Sequence, residues 1–328
     1  MAVKKEVDQP FTPTPLAFKI PNGWPAPSTN IFANNPLTEE GFQLGKKLFY
    51  EGKLSKDGNF PCASCHQQFA AFATSDHDLS HGFNNSFTTR NAPGLFNLAW
   101  MTQMHWDGGI SHIEVQPLAP ITAPNEMAEN IENVLNKLKN DAAYPPMFAA
   151  AFGDAQINSQ RMLKALAQFM GSMVSANAKY DKVMRGETAF TISEQNGYNT
   201  FKQKCASCHT EPLFTDNSFR NNGLAVNNQL HDFGRMMITN NTADSLKFKV
   251  PSLRNVQRTF PYMHDGRVLV LSQAIEHYRT GIQKNQPTLD PLLANGISMT
   301  DNEKFELVLF LNTLTDTEFL NNARFAGQ

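Results

Sequence analysis

Cys62-Ala63-Ser64-Cys65-His66 and Cys205-Ala206-Ser207-Cys208-His209 are one pentapeptide pattern written twice, and together they use every cysteine of the chain. Cys-x-x-Cys-His is the attachment pattern of c-type haem. The spacing has a mechanical reason: two thiols add to the two vinyl groups on one edge of the porphyrin, and the next residue places an imidazole under the iron. Three other readings use the same cysteines: a Cys₄ zinc site, a redox dithiol, or disulfides. A histidine in fifth place in both copies favours two haems. Haem attachment of this kind implies maturation outside the cytoplasm, so a bacterial periplasmic protein is expected, its leader removed. Met1-Ala2-Val3-Lys4-Lys5 runs into acidic residues and Pro10 without the apolar stretch of a signal peptide.

Outward from the two motifs the chain reads as a weak internal repeat. Leu37-Thr38-Glu39-Glu40 has the form of a helix start with Thr38 as cap, and Phe42, Gly45, Leu48 and Phe49 lead to the first motif. Ile192-Ser193-Glu194-Gln195 starts a similar helix, with Gly197, Tyr198 and Phe201 leading to the second. Gly45 to Phe49 and Gly197 to Phe201 share one spacing. Each half closes on an apolar stretch of helical period: Met162, Leu163, Leu166, Phe169, Met170 and Met173 within 159–178, then Phe305, Val308, Leu309, Leu311 and Leu314 within 300–314. Alternating β-branched runs are scarce, so any sheet is minor. Residues 1–36 carry Pro10, Pro13, Pro15, Pro21, Pro25, Pro27 and Pro36, too many for a helix. Phe11, Leu16, Phe18, Ile20 and Trp24 give that segment apolar anchors. The expected fold is mainly α: a Pro-rich extended strap over 1–36, then two cytochrome c-like haem domains over 37–186 and 187–328, joined near 180–190.

Composition narrows the function. The 328 residues suffice for about two domains of ~150 each. Lys and Arg number 28 against 30 Asp and Glu, a net charge of −2. That balance lacks the basic excess of a nucleic-acid binder. No apolar run approaches the ~20 residues that span a bilayer.

Further blocks carry a resemblance. They are Arg90-Asn91-Ala92-Pro93, His105-Trp106-Asp107-Gly108-Gly109, Gln116-Pro117-Leu118-Ala119-Pro120-Ile121, Asn125-Glu126-Met127, Lys249-Val250-Pro251-Ser252-Leu253-Arg254-Asn255 and Pro261-Tyr262-Met263-His264-Asp265-Gly266. With the two haem motifs, in this order over about 36–315, the chain resembles the bacterial di-haem cytochrome c peroxidase family, including its MauG-like branch. The resemblance implies that the first haem, on Cys62, Cys65 and His66, is the peroxidatic centre. Glu126 would be its acid-base group and Gln116 would orient peroxide and water. His77 and His81 are candidates for a resting ligand on the open face, His81-Gly82-Phe83 being the better match; a solvent-facing loop histidine is the plain alternative. The second haem, on Cys205 and Cys208, would have His209 as proximal ligand. Where family peroxidases place a distal Met, fourteen residues after His264, this chain has Tyr278. A tyrosine there is the MauG-like arrangement, and a phenolate favours oxidised iron where Met sulfur raises the potential. Met263 and His277 are its rivals. His264 would lie near the second haem's propionates, Trp106 between the haems, and a calcium ion on Asn91 and the carbonyls of Thr259 and Pro261. His105 stands where an aromatic residue is usual and has no assigned role.

Three functions follow. One is peroxidase activity, hydrogen peroxide being reduced with electrons from a small cytochrome or cupredoxin through the second haem. Another is a MauG-like oxidation of residues on a partner protein through a high-valent di-haem state; Tyr278 favours it, while Gln203 stands where MauG has a surface tryptophan. The last is a di-haem electron carrier, which would leave Gln116 and Glu126 without a task.

Overall fold

The computed structural model describes residues 11–28, 30–75 and 77–327. Residues 1–10 of the strap expected over 1–36 lie outside them. The described chain is mainly helical. Its elements are α1 (Glu39–Phe49), α2 (Cys62–Cys65), α3 (Leu118–Thr122), α4 (Ile131–Lys139), α5 (Tyr144–Phe152), α6 (Ser159–Gly171), α7 (Lys179–Met184), α8 (Ile192–Lys204), β1 (Phe219–Arg220), α9 (Met236–Thr239), β2 (Phe248–Lys249), α10 (Leu271–Glu276), α11 (Asp301–Asn312) and α12 (Thr317–Leu320). Short 3₁₀ turns connect several of them. The sheet is one antiparallel ribbon pairing Phe219 with Lys249 and Arg220 with Phe248.

Local chemistry explains the long helices. Thr38 caps α1 by accepting from Gly41 N, with Glu39 and Glu40 in the first turn and Lys46 and Lys47 in the last. Thr191 with Glu194, and Thr300 with Glu303, form capping boxes on α8 and α11. α6 starts on Asn158. It ends at Gly171, well short of the 178 that the apolar period suggests. Met173 is still fully buried, but the chain has left the helix to hydrogen-bond Ser175 to Asn97: Ser175 N donates to Asn97 Oδ1 at 2.9 Å and Asn97 Nδ2 to Ser175 O at 3.0 Å.

The repeat is a repeated helix crossing. A Cβ on Gly45 would lie 1.9 Å from Ala165 O, and a Cβ on Gly197 would lie 1.9 Å from Glu306 O. α1 therefore crosses α6, and α8 crosses α11, at a glycine that lets the backbones touch. Phe169 and Phe310 take equivalent places beside those glycines. Two apolar clusters result. The first is built on Phe42, Phe49, Phe72, Phe148 and Phe169, the second on Phe201, Phe214, Phe310 and Leu314. The tail after α11 returns to the first cluster, where Phe319, Leu320 and Phe325 are buried.

The described residues of 11–36 hold no helix. Leu16 N donates to Leu37 O and Glu39 N to Thr14 O, both at 2.9 Å. Trp24 packs edge-on to Trp100 at 5.0 Å, and Trp100 Nε1 donates to Pro25 O. Phe11 and Ile20 remain about half exposed. No helix of the described residues is long and apolar enough to cross a membrane.

Candidate haem sites and the junction between them

Each Cys-x-x-Cys-His sits on one helical turn: His66 N donates to Cys62 O, and His209 N to Cys205 O, at 3.0 Å. Both cysteines of a pair and the following imidazole thus share one turn. His66 Nδ1 donates to Phe72 O at 2.6 Å, and His209 Nδ1 donates to Phe214 O at 3.1 Å. Those bonds put the proton on Nδ1 and leave Nε2 as the nitrogen that can ligate; the backbone at Pro93 and at Pro251 also acts on the two rings. Burial pushes the pKa of His66 down to about 4 and lowers that of His209, so both rings are neutral, the form in which an imidazole can ligate a metal.

The rival readings of the cysteines fare worse. No disulfide joins any of the four. Burial pushes Cys62 and Cys205 up to about 12, the reverse of the depressed pKa of a redox dithiol. Among the described residues, no group of three or more His, Cys, Asp or Glu is placed to hold a metal, so the two pairs do not assemble a zinc site. The donor set fits haem: two thiols on a turn, a neutral imidazole with its far nitrogen tied to a carbonyl.

Around the first motif, α3 follows Gln116, and the loop after it folds back so that Met127 N reaches Pro120 O and Glu126 N reaches Ala123 O. The Glu126 side chain makes no hydrogen bond or ion pair among the described residues, and burial raises its pKa. Gln116 Nε2 lies 3.4 Å from His105 Nε2. His105 holds φ +64, and its charge is felt by His66. The loop bearing His81 rests on the Glu126 loop: Phe83 N donates to Glu126 O at 2.7 Å and Asn125 Nδ2 to Phe87 O at 3.0 Å. A Cβ on Gly82 would strike Asn125 O, so only glycine permits that approach. His81 itself is exposed, its ring against His77 and Phe87 at 4.6 Å each.

Around the second motif, the three rivals for the distal place gather on one residue. Asn222 Nδ2 lies 3.5 Å from Tyr278 Oη and 3.6 Å from Met263 Sδ, and Asn222 O accepts from His277 Nε2 at 3.0 Å. Burial raises the pKa of Tyr278, and the Cys205 and Cys208 thiols act on it in the same direction, which sets its phenol near the second motif.

Between the motifs, Trp106 joins the halves. Its Nε1 donates to Asn91 O at 2.9 Å, and its carbonyl accepts from Lys249 N at 2.7 Å. Asn91 N donates to His264 O at 2.8 Å, which brings Asn91 onto the loop that follows Thr259 and Pro261. Asn91 Nδ2 donates to Asp78 O, and its Oδ1 accepts nothing among the described residues. His264 stacks on Phe248 at 3.8 Å, and burial pushes its pKa down to about 4. Arg90 forks onto Asp232 and also holds Asp107. Lys249 Nζ donates to Gln103 O, and burial lowers its pKa to about 8.

The sequence passes over Asn222 and Asp232, since each meets its partners across long separations. One signal was available for the junction. Pro93-x-Leu95-x-Asn97 recurs as Pro251-x-Leu253-x-Asn255; both asparagines are buried at φ +57 and +58, and both hydrogen-bond Ser175.

Two glycine-crossed helix pairs, each with a Cys-x-x-Cys-His turn and a neutral buried imidazole, define a class: a mainly helical two-haem oxidoreductase. The family described as di-haem cytochrome c peroxidase matches residues 39–189. The methylamine utilization protein MauG of Methylorubrum extorquens is 36% identical over 301 residues, covering 90% of this chain and 83% of that protein. The cytochrome c551 peroxidase of Nitrosomonas europaea is 33% identical over 303 residues, covering 88% and 84%. A crystal structure of a MauG-like protein associated with microbial copper homeostasis superposes with a TM-score of 0.87 at 31% identity, covering 95% of this chain and 99% of that one. The chain belongs to the di-haem cytochrome c peroxidase family, in its MauG-like branch, and is an oxidoreductase of peroxidase type.

Proposed function

We propose that the chain reduces hydrogen peroxide at a c-type haem held by Cys62, Cys65 and His66, with electrons arriving through a second c-type haem on Cys205, Cys208 and His209. Peroxide, two electrons and two protons give two waters. The observation that carries this reading is Glu126, a partly buried carboxyl with no salt-bridge partner among the described residues and a raised pKa. A group so placed takes a proton from one peroxide oxygen and returns it to the other. Gln116 orients peroxide beside it. Haem held by Cys62, Cys65 and His66 would supply redox-active iron and pass on the electrons for the cleavage. His81, on the loop braced by the Glu126 loop, would be the residue that ligates the iron at rest. Trp106 shortens the electron path between the haems, and Asn91, Thr259 and Pro261 hold a calcium ion with oxygen donors. His264 borders the second haem's propionates. The division into haem domains 37–186 and 187–328 is supported by the two apolar clusters, except that Tyr180 of α7 joins the second and the C-terminal tail joins the first. The donor is a small cytochrome or cupredoxin, and the location is the periplasm.

Steady-state peroxide consumption with a reduced cytochrome tests this. Turnover that needs the cytochrome and is lost in Glu126→Gln supports it, whereas Glu126→Gln turnover equal to wild type rejects the pocket.

A second reading is favoured by Tyr278. A tyrosine on the second haem suits the peroxide-dependent oxidation of residues on a partner protein, in the manner suggested by the MauG relatives. Tyr278→Met is expected to raise the second haem's midpoint potential, and an unmoved midpoint rejects the ligand.

A further inference from the structure

Asn222 has no part in the reading above, yet it touches all three side chains that compete for the second iron. Its amide orientation is settled by a fourth contact. The amide oxygen accepts from Leu224 N at 3.2 Å, so the NH₂ faces Tyr278 Oη and Met263 Sδ. His277 is diverted: its Nε2 donates to the Asn222 carbonyl, and its Nδ1 is packed where a Cβ on Gly281 would come within 3.0 Å. The Nε2 of His277 is thereby occupied. The chain at His277–Gly281 is a π-helical turn continuing α10, a local rewinding often found at functional sites. Tyr278 O accepts from Ile297 N at 2.8 Å, so the ligand-bearing turn is anchored from its other side.

We propose that Asn222 is a positioning residue for the second haem: its amide N–H orients the Tyr278 oxygen for the iron and raises that haem's reduction midpoint by hydrogen-bonding the ligating oxygen. The inference rests on Tyr278 being the distal ligand. An oxygen donor that accepts an N–H bond gives less electron density to the metal and so stabilises ferric iron less. The second N–H of the same amide keeps the Met263 thioether, a weak acceptor, turned to Asn222.

The test is optical redox titration of the matured two-haem protein with Asn222→Leu, Tyr278→Phe and the double variant. Asn222→Leu is expected to lower the second haem's midpoint and shift its tyrosinate charge-transfer band. Asn222→Gln, which restores an amide, is expected to recover part of the shift. In the Tyr278→Phe background the Leu substitution is expected to leave the midpoint where it is. If Asn222→Leu fails to incorporate two haems, Asn222→Ala removes the amide without bulk and must show the same downward shift. An unmoved midpoint in Asn222→Leu or Asn222→Ala, or an equal shift with and without the Tyr278 hydroxyl, overturns the proposal. A Tyr278→Phe spectrum identical to wild type overturns instead the ligand assignment beneath it.

Discussion

Glu126 and His264 are both titratable groups moved by burial, in directions that opposite charge types require. A carboxyl loses its charged form to desolvation, so Glu126 rises; an imidazole loses its charged form too, so His264 falls. For Glu126 the consequence is catalytic. Under the proposed function its ionised form takes the proton from peroxide, so activity is expected to climb as pH rises through a pKa above the ordinary carboxylate range. Glu126→Gln is expected to cut peroxide turnover by about 10²–10⁴ and to remove that limb, with both haems retained by pyridine haemochrome. For His264 the consequence is stability. Its folded-state pKa is about 4, held there by burial against the opposing pull of Asp265 and Asp232, while Arg90 and Arg267 add to the depression. The unfolded value is about 6.5. Its contribution is therefore present above pH ~6.5 and is lost as pH falls towards ~4. Denaturant midpoints at pH 7 and pH 4.5 should differ less in His264→Gln than in wild type; an equal difference assigns the acid loss to other groups.

At the scale of elements, the two helix crossings set magnitudes against each other. Replacing a helical glycine by alanine gains about 1 kcal/mol of propensity. At Gly45 and Gly197 the new methyl meets a carbonyl oxygen of the facing helix at 1.9 Å, far inside contact. Forced overpacking costs ~1–3 kcal/mol or more, so the crossing outweighs the propensity. Both Gly45→Ala and Gly197→Ala are expected to lower the denaturant midpoint at unchanged m-value, and a rise in either locates that crossing elsewhere. These helices were legible because caps, period and the Gly-to-Phe spacing are local. The end of α6 was not, because Ser175 answers to Asn97 and Asn255, 78 and 80 residues away.

At the scale of the molecule, the haem turns were readable as words, while the junction that relates them was not. Trp106, Asn91 and His264 stood in recognisable blocks. The bonds that join them to the rest depend on loops meeting across the chain, and the left-handed backbone at Asn97, His105, Asn255 and Met263 follows no local pattern beyond the two asparagines. Arg90 concentrates this. It spans the halves by a two-point bond to Asp232 and a further bond to Asp107, with both carboxylates nearly buried. Burial alone would raise the pKa of Asp232; the hydrogen bonds and charge of Arg90 more than offset that and hold it below the usual value. Asp232 thus contributes stability above the unfolded carboxylate pKa of about 3.9, lost as pH falls through its lower folded value. Arg90→Leu removes the offset and leaves two carboxylates close together in a poorly solvated place. Breaking a buried pair in this way costs about 3–5 kcal/mol. In Arg90→Leu burial instead lifts the Asp232 pKa, so the penalty is greatest at neutral pH and shrinks as acid protonates it. Unfolding of wild type and Arg90→Leu followed at pH 7 and at pH 4 should show the gap narrowing on acidification. A gap that is constant with pH means Arg90 serves packing rather than charge, and the joint between the halves then rests on the backbone bonds of Trp106 and Asn91.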